Sequence, residues 1–116
     1  MREPIRDSER LHHILNACNL LINRQAQDSI QDLKNDPIKF YGYVKLIEII
    51  GEATYKITKD LKNSHAEIPW SVMESMRHVL VHDYYRISHE KLWNTIVYDL
   101  PALKPMVEKV ISELQK

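Results

Sequence analysis

The stretch Asp36-Pro37-Ile38-Lys39-Phe40-Tyr41-Gly42-Tyr43-Val44-Lys45-Leu46-Ile47-Glu48-Ile49-Ile50-Gly51-Glu52-Ala53-Thr54-Tyr55 decides the fold class. Asp36 can cap a helix and Pro37 suits its first position, where the missing N–H costs nothing. From residue 38 to 61, Phe40, Tyr43, Val44, Ile47, Ile50, Tyr55, Ile57 and Leu61 keep helical period, and Leu46, Ile49 and Ala53 add an adjoining apolar strip. An apolar surface that broad predicts burial on two sides, either as the central helix of a monomer or as part of a dimer interface. Gly51 sits mid-helix, where glycine costs roughly 1 kcal/mol relative to alanine, so a close helix contact is expected there.

Helices extend in both directions from this one. Asp7 or Ser8 can cap a first helix bearing Leu11, Ile14, Leu15, Cys18, Leu21 and Ile22, expected to run to about Ile30 or Leu33. After the loop-like residues 63–69, Pro69 can open a third helix with Trp70, Met73, Met76 and Leu80 in a stripe, ending near His82 or Asp83. Ser88 caps a fourth with Leu92, Trp93, Ile96 and Val97; Leu100-Pro101 interrupts it, and Pro101 opens a last helix. The expected product is an all-α bundle of four to five helices, one domain over residues 1–116.

Composition agrees. At 116 residues, 44% hydrophobic and 28% charged, the chain can bury one core unaided. Two glycines and five prolines supply too little turn chemistry for an all-β fold. The single cysteine, Cys18, excludes an internal disulfide and reads as a small core residue. A charged amino terminus and no long apolar run predict a cytoplasmic protein without a membrane partner. Sixteen basic residues balance sixteen acidic ones, so any attraction to nucleic acid must be local. Six histidines can contribute to it.

The chemistry concentrates in Met76-Arg77-His78-Val79-Leu80-Val81-His82-Asp83-Tyr84-Tyr85. Arg77 and His82 are five residues apart, about 140° around a regular helix, so they converge only if the helix ends before His82 or if two copies meet. An arginine offers a fixed fork of donors to a phosphate, and a histidine can move a proton at a ribose hydroxyl. Neither step needs a metal. His78 and His82, at i and i+4, could share a metal with Asp83 as a third ligand, but no HExxH pattern or second cluster accompanies them, and no metal or cofactor is expected. His12 and His13 point to different faces and are expected to be solvated or packed. Tyr84 and Tyr85 read as aromatic anchors, or as surfaces for base stacking or modification. Trp70 and Trp93 fall in apolar stripes and are expected in the core; Lys56, Lys59 and Lys62 are expected on a solvated face.

Taken together, Ile49-Ile50-Gly51-Glu52-Ala53, Ile68-Pro69-Trp70, the Arg77 to Tyr85 segment, Trp93 and Asp99-Leu100-Pro101-Ala102-Leu103 strongly resemble the HepT-like branch of the HEPN superfamily, in order and spacing over nearly the whole chain. The resemblance implies a helical-bundle homodimer that serves as the ribonuclease toxin of a type VII-like toxin-antitoxin module and acts on RNA rather than DNA. The family's Arg-x4-His-x-Tyr motif maps onto Arg77, His82 and Tyr84, making Arg77 and His82 the catalytic pair. Its partner there is a small MNT-type nucleotidyltransferase antitoxin that attaches AMP to the motif tyrosine, here Tyr84. This sequence departs from the pattern at His78, where a small polar residue is common; His78, with Asp83, is therefore a supporting or second acid–base candidate. Two other classes stand beside this reading: a non-catalytic nucleotide- or substrate-binding subunit of a nucleotidyltransferase complex, and a metal-binding bundle.

Overall fold

The computed structural model describes residues 6–78 and 88–115. Among these residues the chain is all helical: α1 (Asp7–Gln25), α2 (Ile30–Asn35), α3 (Pro37–Tyr55), α4 (Lys59–Ser64), α5 (Trp70–Ser75), a 3-10 turn (Met76–His78), α6 (His89–Asn94), a π turn (Thr95–Asp99) and α7 (Leu100–Leu114). The expected all-α bundle is the observed one. No helix among the described residues is long and apolar enough to cross a membrane.

The central helix starts where its sequence says it should. The Asp36 carboxylate accepts from the amides of Ile38 and Lys39, at 3.1 and 3.2 Å, with Pro37 in the first turn. Phe40, Tyr43, Val44, Ile47, Ile50, Gly51, Ala53 and Thr54 are all buried. They are covered within the one chain, because α3 packs against α1, α2, α5 and the 3-10 turn. Both apolar strips therefore find neighbours in a single copy. Leu11, Ile14, Ala17, Cys18 and Leu21 of α1 meet α3 on one side and α7 on the other. Burial pushes the Cys18 thiol up to about 11, as befits a core residue.

Two long helices expected from the sequence are each divided. The first ends at Gln25, and Ser29 opens α2 with a capping box: its hydroxyl accepts from the Asp32 amide while the Asp32 carboxylate accepts from the Ser29 amide. The second ends at Tyr55, and Thr58 caps α4. Thr58 also fixes the start of α1, since Asp7 accepts from its amide at 3.0 Å and from its hydroxyl at 2.6 Å. Asp7 is thus a tie between helices, and Arg6 occupies the N-cap of α1. Among the expected surface lysines, Lys56 and Lys59 are exposed, but Lys62 is drawn in by Glu74 and by the carbonyl of Tyr55, joining the end of α3 to α5. His12 and His13 are exposed.

Tryptophan placement follows the apolar stripes. Trp70 is 8% exposed, and its indole N–H donates to the carbonyls of Lys62 and His65 at the end of α4. Trp93 is partly buried and lies parallel to Tyr43. Ser88 caps α6 as expected, accepting from the Lys91 amide. Pro101 does not break the helical path as expected. Its ring offers no amide hydrogen, and the chain widens over Thr95–Asp99 so that the Leu100 amide reaches back to the Thr95 carbonyl five residues earlier. The helix continues through the proline.

Candidate functional site

Arg77 owes its position to a glycine. α5 tightens after Ser75 into the turn Met76–His78, with Met76 buried beneath it. That turn lies directly on α3 at Gly51. A Cβ there would fall 2.7 Å from the Met76 carbonyl carbon and 2.8 Å from the Arg77 Cα, and closer still to the Arg77 amide nitrogen. Backbone packs on backbone with no side chain between, which is the close contact expected from a mid-helix glycine.

From this anchor the Arg77 side chain runs beside α3 to Tyr55. Its guanidinium carbon stands 3.5 Å from the centre of the Tyr55 ring, a cation–π stack. The Arg77 Nε donates to His78 Nε2 at 3.3 Å. Because arginine carries only donors, that contact requires the His78 ring to present an unprotonated Nε2. Among the described residues no other acceptor engages Arg77, and none of them accepts from its Nη groups.

Arg77 forms one wall of a cavity of about 340 Å³ whose other walls are Lys45, Glu48, Ile49 and Glu52 of α3. Two opposite charges temper its carboxylates: Lys45 pairs with Glu48 at 3.0 Å and Lys56 with Glu52 at 3.4 Å. The cavity is therefore a polar recess with a guanidinium on its rim. Chemically it can hold an oxyanion at Arg77 and present an imidazole beside it.

Of the five site residues expected from the sequence, Arg77 and His78 are brought into contact. His82, Asp83 and Tyr84, with Tyr85, lie outside the described residues. At Arg77 the regular α-helix has already given way to the 3-10 turn Met76–His78. Sequence reasoning missed Tyr55, counted there only as part of an apolar stripe, and the polar wall of α3. A signal for the wall existed: Lys45, Glu48 and Glu52, then Tyr55, recur at steps of three, four and three on an otherwise apolar helix.

Comparison with known proteins bears on this site. A family model described as Ribonuclease HepT-like matches residues 14–110. A protein of Caldanaerobacter subterraneus subsp. tengcongensis that carries RNase in its name is 33% identical over 103 residues, covering 89% of this chain and 92% of the relative. A Methanocaldococcus jannaschii protein, also with RNase in its name, is 31% identical over 114 residues, covering 97% of this chain and 98% of the relative. A Thermococcus cleftensis protein with ribonuclease HepT in its name is 35% identical over 100 residues, covering 86% and 91%. No solved structure matches the chain significantly.

Proposed function

The chain belongs to the Ribonuclease HepT-like family, and from that premise we propose that it is a metal-independent endoribonuclease in which Arg77 and His82 act on the scissile phosphate. The observation that carries this reading is Arg77 itself, its guanidinium stacked on Tyr55 at the rim of a polar cavity. In the reaction the ribose 2′-oxygen attacks phosphorus and the bond to the 5′-oxygen breaks. His82, as general base or acid, takes the 2′-hydroxyl proton or supplies one to the departing 5′-oxygen. Arg77 stabilises the charge that grows on the non-bridging oxygens. The products are a 2′,3′-cyclic phosphate and a 5′-hydroxyl end.

In the cell, on this proposal, the protein serves as the toxin of a type VII-like module, as a homodimer, with an MNT-type nucleotidyltransferase as antitoxin. Tyr84 is the acceptor: its phenolic oxygen attacks the α-phosphorus of ATP, pyrophosphate leaves, and the phenolic proton passes to solvent. The attached AMP adds about one negative charge and a bulky nucleotide to the motif that carries Arg77 and His82.

RNA incubated with purified protein in EDTA tests the reading. Cleavage to cyclic-phosphate ends, abolished by Arg77→Ala and by His82→Ala, is the expected result. Intact RNA overturns it and favours a non-catalytic binding subunit.

A further inference from the structure

We infer that Tyr55 is a positioning residue for Arg77, fixing the guanidinium so that its donor edge meets the scissile phosphate; this rests on the ribonuclease reading above. The five N–H donors of a guanidinium lie in its plane, and an aromatic ring engages its face. The stack on Tyr55 at 3.5 Å therefore restrains Arg77 without consuming any donor. The contact to His78 uses Nε alone, so neither it nor the Tyr55 stack engages the Nη edge.

Both ends of this arrangement are anchored. Tyr55 is the last residue of α3, and the carbonyl of Tyr55 accepts from Lys62, whose ammonium also binds Glu74 of α5. The Arg77 backbone rests on Gly51, one helical turn before Tyr55. Tyr55 is 51% exposed, so the core does not explain its ring. A free arginine side chain would give up rotamer entropy on meeting phosphate, whereas a stacked one has already lost much of it.

Two readouts test this on the full-length protein. In the amide and side-chain NMR spectrum, the Arg77 Nε–H resonance, identified by its loss in Arg77→Ala, should be shifted upfield by the Tyr55 ring. Tyr55→Phe should keep that shift, and Tyr55→Leu should abolish it. In RNA cleavage, Tyr55→Leu should lower kcat/KM about tenfold, mainly through KM, while Tyr55→Phe stays within about twofold of wild type, on the scale of a partly desolvated cation–π contact. Tyr55→Gln serves in place of Tyr55→Leu if the latter does not fold. An unshifted Arg77 resonance in wild type, or equal activity of the Leu and Phe variants, overturns the inference while leaving the ribonuclease reading intact. If wild type does not cut RNA, the ribonuclease reading fails, and the phosphate-positioning role falls with it.

Discussion

Gly51 and Arg77 meet backbone to backbone, with no room for a methyl group between them. The turn that carries the arginine is consequently seated on the central helix by main-chain contact, and its position is insensitive to side-chain rotamers.

Gly51→Ala should therefore cost about 1–3 kcal/mol by overpacking, despite the better helix propensity of alanine. Cleavage should fall with it, because the turn must lift Arg77 away from Tyr55. Urea denaturation and a cleavage assay check this, and a variant as stable as wild type would contradict it.

The other glycine of the same helix gives the opposite sign. A Cβ at Gly42 meets nothing within 4 Å. Gly42→Ala should raise stability by about 0.5–1 kcal/mol with activity unchanged, through helix propensity and a less disordered unfolded chain. The same denaturation series reads it.

Asp28 makes stability depend on acid. Its side chain is 7% exposed and accepts from the Tyr43 hydroxyl and from Lys39. The Tyr43 hydrogen bond, then Lys39, holds its carboxyl below the ordinary aspartate value even though burial opposes the shift. Its folded pKa is thus below the unfolded one, so its contribution is fully present above the usual aspartate range and is lost as pH falls through the folded value. Asp28→Asn should flatten the decline of the denaturation midpoint below about pH 4; parallel curves for the two proteins would count against this account.

Trp70→Phe should keep most of the buried ring yet leave the carbonyls of Lys62 and His65 without the indole donor. A loss of about 1 kcal/mol is expected, that of a hydrogen bond rather than of a core side chain. Urea denaturation separates it from the larger penalty expected of Trp70→Ala, about 3–5 kcal/mol.

If the proposed pairing holds, co-expression with an MNT-type nucleotidyltransferase should add mass in steps of one AMP, and Tyr84→Phe should remove every step. Intact-mass measurement checks it, and addition that persists in the variant would move the acceptor elsewhere.

How much was legible in advance depended on whether a local signal had a rival. Asp36-Pro37 and Ser88 were readable because cap and first turn agree. The break at Ser29 was hidden because Ile30 and Leu33 extend the apolar period of α1, so periodicity outweighed the Ser29–Asp32 capping box. Pro101 pointed to an interruption, whereas a wide turn accommodates it. At the site, Arg77 could be read from its motif and a close contact at Gly51 from the cost of a mid-helix glycine, but that the two meet is known only from the fold. Tyr55 could not: its partner is 22 residues away in the chain, and only the fold brings the two together.

The wide turn before Pro101 also does arithmetic for the carboxy-terminal half. Leu92, Ile96 and Leu100 are all buried although they stand four residues apart twice in succession. At about 100° per residue, a regular helix would carry the third some 80° off the line of the first. The π turn absorbs that drift like a leap day in a calendar. Were Thr95–Asp99 to tighten into an ordinary helix with every residue kept, α7 would rotate by about 100° relative to α1, turning Leu103, Val107 and Val110 away from their neighbours, whereas deleting one residue there would regularise the helix and leave α7 facing as it does.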